Sequence, residues 1–169
     1  MKIKFTLLLA FIFTIFFCFS QGRNDNWFFG GNSGMTFTSG APIALNNGVL
    51  GAEEGSSSIS DASGNLLFYS DGTKVWNKNH IQMPNGFGLN GGASTSSTQA
   101  CLIIKQPGNT NIYYIFTVEE NGGASGFRYS TVDINLSAGL GDVVLKNVLI
   151  NTTTTEKLAA AYHCNGVVI

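Results

Sequence analysis

Glu54-Gly-Ser-Ser-Ser-Ile-Ser-Asp-Ala-Ser-Gly-Asn-Leu-Leu-Phe-Tyr69 decides the fold, because its order of features returns further along the chain. A polar residue opens it, followed by small residues, a β-rich segment, a Gly/Asn turn and an aromatic strand. Gln99-Ala-Cys-Leu-Ile-Ile-Lys-Gln-Pro-Gly-Asn-Thr-Asn-Ile-Tyr-Tyr-Ile-Phe116 repeats that order. Glu156-Lys-Leu-Ala-Ala-Ala-Tyr-His-Cys-Asn-Gly-Val-Val-Ile169 begins it again and ends where the aromatic strand would run. The three openings are 45 and 57 residues apart, in or near the ~40–50 residue period of propeller blades. The expected fold is all-β: a partial β-propeller-like repeat of about two four-stranded antiparallel blades plus the start of a third, with units at about 54–98, 99–155 and 156–169.

Strand and turn chemistry supports the repeat. Residues 56–60, 65–70 and 73–76 read as strands joined by Asp61-Ala-Ser-Gly64 and Asp71-Gly72. Gly at such turns tolerates positive φ, and Asp bonds its own backbone. In the second unit Ala100–Lys105, Asn111–Val118, Phe127–Ile134 and Asp142–Ile150 read as four strands, the composition of one blade. Phe127–Ile134 alternates as a half-exposed strand does. Trp27-Phe28-Phe29 and Met35-Thr36-Phe37 read as short aromatic strands before the first repeat. Asn77–Ser97 lacks clear periodicity and reads as a long loop with room for one weak strand. Thr155–Ala161 has helical composition, but its place in the repeat argues for strand.

Residues 1–20 read as a signal peptide. Lys2 and Lys4 precede an almost unbroken apolar run of 15 positions, Phe5 to Phe19, shorter than the ~20 residues a membrane-spanning helix needs. Cleavage after Ser20 leaves seven Lys/Arg against ten Asp/Glu, a formal charge of −3. Without a basic patch, nucleic acid and anionic membranes are poor partners. No membrane span is expected after cleavage. The expected location is secreted or cell-surface, or periplasmic if no sorting domain follows. Cys101 and Cys164 survive export; an even count in an oxidising compartment permits one bridge, and two buried thiols are the alternative.

An ordered series of short motifs resembles the N-terminal region of large secreted proteins of gliding bacteria, which end in a gliding-motility-associated, type IX secretion sorting domain. It runs through Asn26-Trp27-Phe28-Phe29-Gly30, Gly64-Asn65-Leu66-Leu67-Phe68-Tyr69, Val75-Trp76-Asn77, Met83-Pro84-Asn85-Gly86, Asn111-Ile112-Tyr113-Tyr114-Ile115-Phe116, Gly126-Phe127-Arg128-Tyr129 and Gly139-Leu140-Gly141-Asp142. The resemblance implies a propeller-like module on a longer exported polypeptide, 21–169 being an incomplete domain of it. Such proteins usually continue through further blades, so a truncated product is expected here.

The motifs with chemical potential also have structural roles open to them. Asp61-Ala-Ser-Gly-Asn65 offers alternate oxygens but lacks the carboxylates of a calcium cage, so a hairpin turn is expected. Sialidase-like chemistry needs clustered arginines for a carboxylate, whereas the exported chain holds only Arg23 and Arg128. Met83-Pro84-Asn85-Gly86 is similar to the acid-bearing element of invertase-like propellers, with Met83 where the acid should stand. A retaining glycosidase needs two carboxyl groups ~5 Å apart; Glu54 and Glu156 are the candidates, with Gln99 at the equivalent position between them. Their repetition by position favours a backbone-capping role. His80 and His163 have no ligand spacing around them. Trp27, Trp76, Tyr113 and Tyr114 either stack on sugars or fill the space between blades. Asn135 and Asn151 head glycosylation triplets. The expectation is a non-catalytic interaction or scaffold module, not an enzyme, with no cofactor, no metal and a protein or glycan partner at the cell surface. A fragment of a carbohydrate-active propeller enzyme and a non-functional remnant are the alternatives.

Overall fold

Phe68 and Tyr69 are neighbours in sequence and lie on opposite faces of one strand, as strand geometry requires. Both are fully buried, so that strand is covered on both sides. The computed structural model describes residues 22–92 and 96–161. Within them, three antiparallel sheets stack face to face. The first holds β1 (Asn26–Phe28), β2 (Gly34–Thr36) and β3 (Ile43–Leu45). The second holds β4 (Ser57–Ser60), β5 (Leu66–Ser70), β6 (Lys74–Asn77) and β7 (Gln82–Phe87). The third holds β8 (Cys101–Lys105), β9 (Ile112–Thr117), β10 (Phe127–Asp133) and β11 (Asp142–Asn151). Each sheet is a simple meander in sequence order. The all-β architecture with two four-stranded blades is as the repeat implies, and no sheet closes into a barrel.

Two cores hold the stack. Ile59, Phe68, Val75 and Met83 of the second sheet meet Cys101, Ile103, Tyr113, Ile115, Val132 and Val143 of the third. On the opposite face Tyr69 and Trp76 meet Phe28, Leu50 and Ala52. A bulge helps divide the side chains between the two: Ile59 pairs with Phe68 but Ser60 pairs with Leu66. The intervening Leu67 has no opposite number, and the pleat reverses there. Leu67 therefore joins Phe68 in the core shared with the third sheet, and Leu66 joins Tyr69 in the core shared with the first.

Side chains cap the turns. The Asp61 carboxylate accepts the backbone N–H of Ser63 (2.8 Å) and of Asn65 (2.9 Å). Asp71 accepts those of Thr73 (2.8 Å) and Lys74 (2.7 Å), and Gly72 between them sits at φ 85, which a side chain would strain. Asn109 does the same for Asn111 and Ile112. These are Asx-turn geometries.

One expectation is met and another changes. The room that Asn77–Ser97 leaves for one weak strand is filled by β7, which completes the second sheet. Its pairing with β6 is irregular, Lys74 opposite Phe87 and Trp76 opposite Gln82, which breaks the two-residue period that would have revealed a strand. Pro84 is tolerated because β7 is an edge strand. Thr155–Ala161 forms neither the expected strand nor a helix. Among the described residues its backbone joins no ladder, although Ala160 and Ala161 line one pocket with Leu102–Lys105 of β8, and Leu158 N–H donates instead to the Gln99 side chain at 2.9 Å. The signal peptide, His163, Cys164 and the rest of the third unit lie outside the described residues. Cys101 is a buried free thiol.

Candidate functional site

β9 reads Ile-Tyr-Tyr-Ile-Phe-Thr, apolar in both phases of the strand period. Tyr113, Ile115 and Thr117 are buried against the second sheet; Tyr114 and Phe116 face the other way and are half-buried. The register carries that outward face across the sheet. Phe116 lies opposite Leu102 and Tyr129, and Tyr114 opposite Ile104 and Thr131. The rings interlock: Phe116 stacks on Phe127 at 5.6 Å, and Tyr114 meets Tyr129 edge to face at 5.6 Å. Leu145, opposite Thr131, is 44% exposed and extends the apolar face.

The first sheet has a similar outer face. Trp27 is 46% exposed, and its ring meets Phe37 at 5.1 Å and Phe29 edge-on at 6.4 Å. Its indole N–H donates to the Asn24 carbonyl at 2.7 Å, fixing the ring's orientation. The stack is thus capped at both ends by aromatic faces that no described residue covers. Exposed apolar patches of this kind mark interaction surfaces. The rings of the two clusters mix edge-on, tilted and stacked contacts, the geometries that packed aromatic side chains prefer.

The titratable candidates are occupied structurally. Both oxygens of Glu156 are taken: one accepts the Thr98 backbone N–H at 3.0 Å and its hydroxyl at 2.8 Å, the other the Asn121 N–H at 2.6 Å. Those donors, Thr98 first, hold its carboxyl down at about 2. Glu156 thus anchors a shallow cleft of about 420 Å³ lined by Thr98, Asn121, Thr154 and Lys157. Gln99 accepts from Leu158, as above, and Glu54 accepts from Ser96 at 3.5 Å. The three equivalent positions therefore tie connecting segments rather than face one another as an acid pair. Partial burial opposes ionisation of Asp61, but the Asn65 and Ser63 donors outweigh it and hold the carboxyl below its usual range. Arg128 is committed to the Asn147 carbonyl at 2.8 Å.

His80 lies between Tyr69 and Asn47. Nδ1 is 3.0 Å from the Tyr69 hydroxyl and Nε2 2.9 Å from Asn47 Nδ2. Burial lowers the His80 pKa and raises that of Tyr69. Met83 is a core residue, 1% exposed. Trp76 and Tyr113 are buried between sheets, while Trp27 and Tyr114 belong to the end faces. Asn135 and Asn151 are exposed. Among the described residues, no cluster of His, Cys, Asp and Glu could hold a metal ion, and no helix is long and apolar enough to cross a membrane.

Sequence reasoning did not single out Leu102, Ile104, Phe116, Phe127 and Tyr129 as a surface. The signal was present in the doubly apolar runs of β8 and β9, which ordinarily mean burial on both faces. No family model, no curated protein and no solved structure matches the chain.

Proposed function

We propose that this chain is a non-catalytic interaction module of an exported, surface-associated protein, in keeping with its resemblance to the secreted proteins of gliding bacteria. The observation that carries it is the pair of uncovered aromatic faces, one at each end of the sheet stack. An apolar sheet face exposed in water is a hazard unless something covers it. Polar groups that would otherwise suggest catalysis, notably Glu156 and Asp61, are engaged with backbone N–H groups. The apolar run at Phe5–Phe19 supports export.

Photocrosslinking tests this. Benzoylphenylalanine replaces Phe29 or Phe116 in cells that make the protein, and adducts to a protein at the cell surface are expected from at least one position. Absence of adducts from both, with the protein accumulating normally, overturns it. So does hydrolysis of a glycan that Glu54→Gln abolishes.

A further inference from the structure

Four Asn-Gly pairs lie among the described residues: Asn47-Gly48, Asn85-Gly86, Asn90-Gly91 and Asn121-Gly122. Such a pair is chemically reactive. Glycine has no side chain to hinder its backbone nitrogen, which can attack the amide carbon of the asparagine before it. The fold protects three of the pairs, because Gly48, Gly86 and Gly91 are buried. The Asn47 amide nitrogen lies 2.9 Å from His80 Nε2, and that of Asn85 donates to the Asp142 carboxylate at 2.9 Å. The Gly91 N–H is itself committed, donating to the Gly72 carbonyl at 2.9 Å.

Asn121-Gly122 differs. Both residues are exposed, and no described residue holds the Asn121 side-chain amide. They sit in the connection between β9 and β10, in a turn closed by the Gly123 N–H on the Glu120 carbonyl at 3.0 Å. Asn121 has left-handed backbone, φ 55 and ψ 24, which asparagine adopts more readily than most residues. At that ψ the Gly122 nitrogen stands nearly opposite Cβ, so it reaches the amide carbon only when the peptide plane turns. Glu156 opposes that movement. One of its oxygens holds the Asn121 N–H at 2.6 Å while the other holds Thr98.

We propose that Asn121-Gly122 is a self-modifying site of the folded chain and that the Glu156 clamp sets its pace. The Gly122 nitrogen gives its proton to solvent and bonds to Asn121 Cγ; the Cγ–Nδ2 bond breaks, and the amide nitrogen takes up a proton and leaves as ammonia. The resulting five-membered imide then adds one water. Opening at Cγ leaves an aspartate in the asparagine's place. Opening at the main-chain carbonyl leaves isoaspartate, with the backbone running through the former side chain. Water is the only co-reactant. Either product carries a carboxylate where a neutral amide stood, in the cleft that Asn121 shares with Thr98, Glu156 and Lys157. Two carboxylates in one site disfavour each other's ionised form, so the reaction loosens the tie between Glu156 and Thr98.

The test is to hold the folded chain at mildly alkaline pH and map its peptides by mass spectrometry. Asn121 should exchange NH2 for OH well before Asn47, Asn85 or Asn90, with isoaspartate confirmed by enzymatic methylation. In urea the four pairs should react at similar rates, because their protection is tertiary. Glu156→Ala, checked for folding by far-ultraviolet circular dichroism, should speed the reaction at Asn121 about 5-fold, the worth of one ordinary hydrogen bond, and leave the other pairs unchanged. Aged wild-type chain should exchange the Thr98 amide faster than fresh chain.

Four outcomes overturn the proposal: another of the pairs reacting as fast as Asn121 in the folded chain, Asn121 reacting only in urea, a folded Glu156→Ala chain with an unchanged rate at Asn121, or Thr98 exchange that ageing leaves as it was. The ranking of the four pairs is read on the wild-type chain, so it decides whether or not Glu156→Ala folds.

Discussion

Phe68→Ala is the sharpest test of the stack, because Phe68 lies at the centre of the larger core. Its ring is fully buried, opposite Ile59 and Asn77 on neighbouring strands and edge-on to Tyr113 of the next sheet. Truncating a buried Phe to Ala costs about 3–5 kcal/mol, through lost transfer energy and the cavity left behind. The sheets here are rigid ladders that cannot easily collapse into the gap, so the upper half of that range is expected, about 4 kcal/mol. For a chain of this size that lowers the melting temperature by roughly 8–16 °C. Urea denaturation followed by circular dichroism gives the free energy, and Tyr113→Ala with the double variant gives the coupling. An edge-to-face pair should couple by about 0.5–1.5 kcal/mol. A loss below about 1 kcal/mol for Phe68→Ala, within the range of surface substitutions and small repackings, would mean that the second and third sheets do not pack as described.

Three further outcomes follow from single sites. The Glu156 carboxyl lies below its ordinary value of 4.5, at about 2, so its ionised form is favoured on folding. Its contribution is present above pH 4.5 and is lost as pH falls towards 2. Amide exchange at Thr98 and Asn121 should accelerate across that window, and Glu156→Gln should remove this pH dependence. The Cys101 thiol, pushed up to about 12 mainly by burial, should resist alkylation at neutral pH until denaturant is added; rapid labelling of the folded chain would contradict its placement. A Cβ at Gly55 would run into the Ala100 backbone N–H and lie 2.6 Å from the Ser97 carbonyl. Gly55→Ala should therefore lower stability by about 1–3 kcal/mol, as overpacking does, measurable as a fall in urea midpoint.

Local sequence determined the strands and turns of this protein. Asp61–Gly64, Asp71–Gly72 and Gln106–Asn109 carry turn chemistry that acts within a few residues, and the apolar runs beside them have no shorter way to bury their backbone than pairing in a meander. The return of Glu54 as Gln99 and Glu156 made the blade repeat legible, because equivalent positions solve the same local problem of anchoring a connection. β7 was harder to see, since its irregular pairing with β6 and its Pro84 erase the two-residue period. Which face of each strand meets which sheet was not legible. Phe68 and Tyr69 look alike in sequence, and only the order of the stack sends one towards Tyr113 and the other towards Phe28. The end faces are a property of that order too. Tyr114 and Phe116 resemble Tyr113 and Ile115 in chemistry, and they form a surface because no described sheet follows the third. A strand that fails to find a sheet, as at Thr155–Ala161, cannot be told from one that does by composition, since a ladder needs a neighbour that lies far away in the chain.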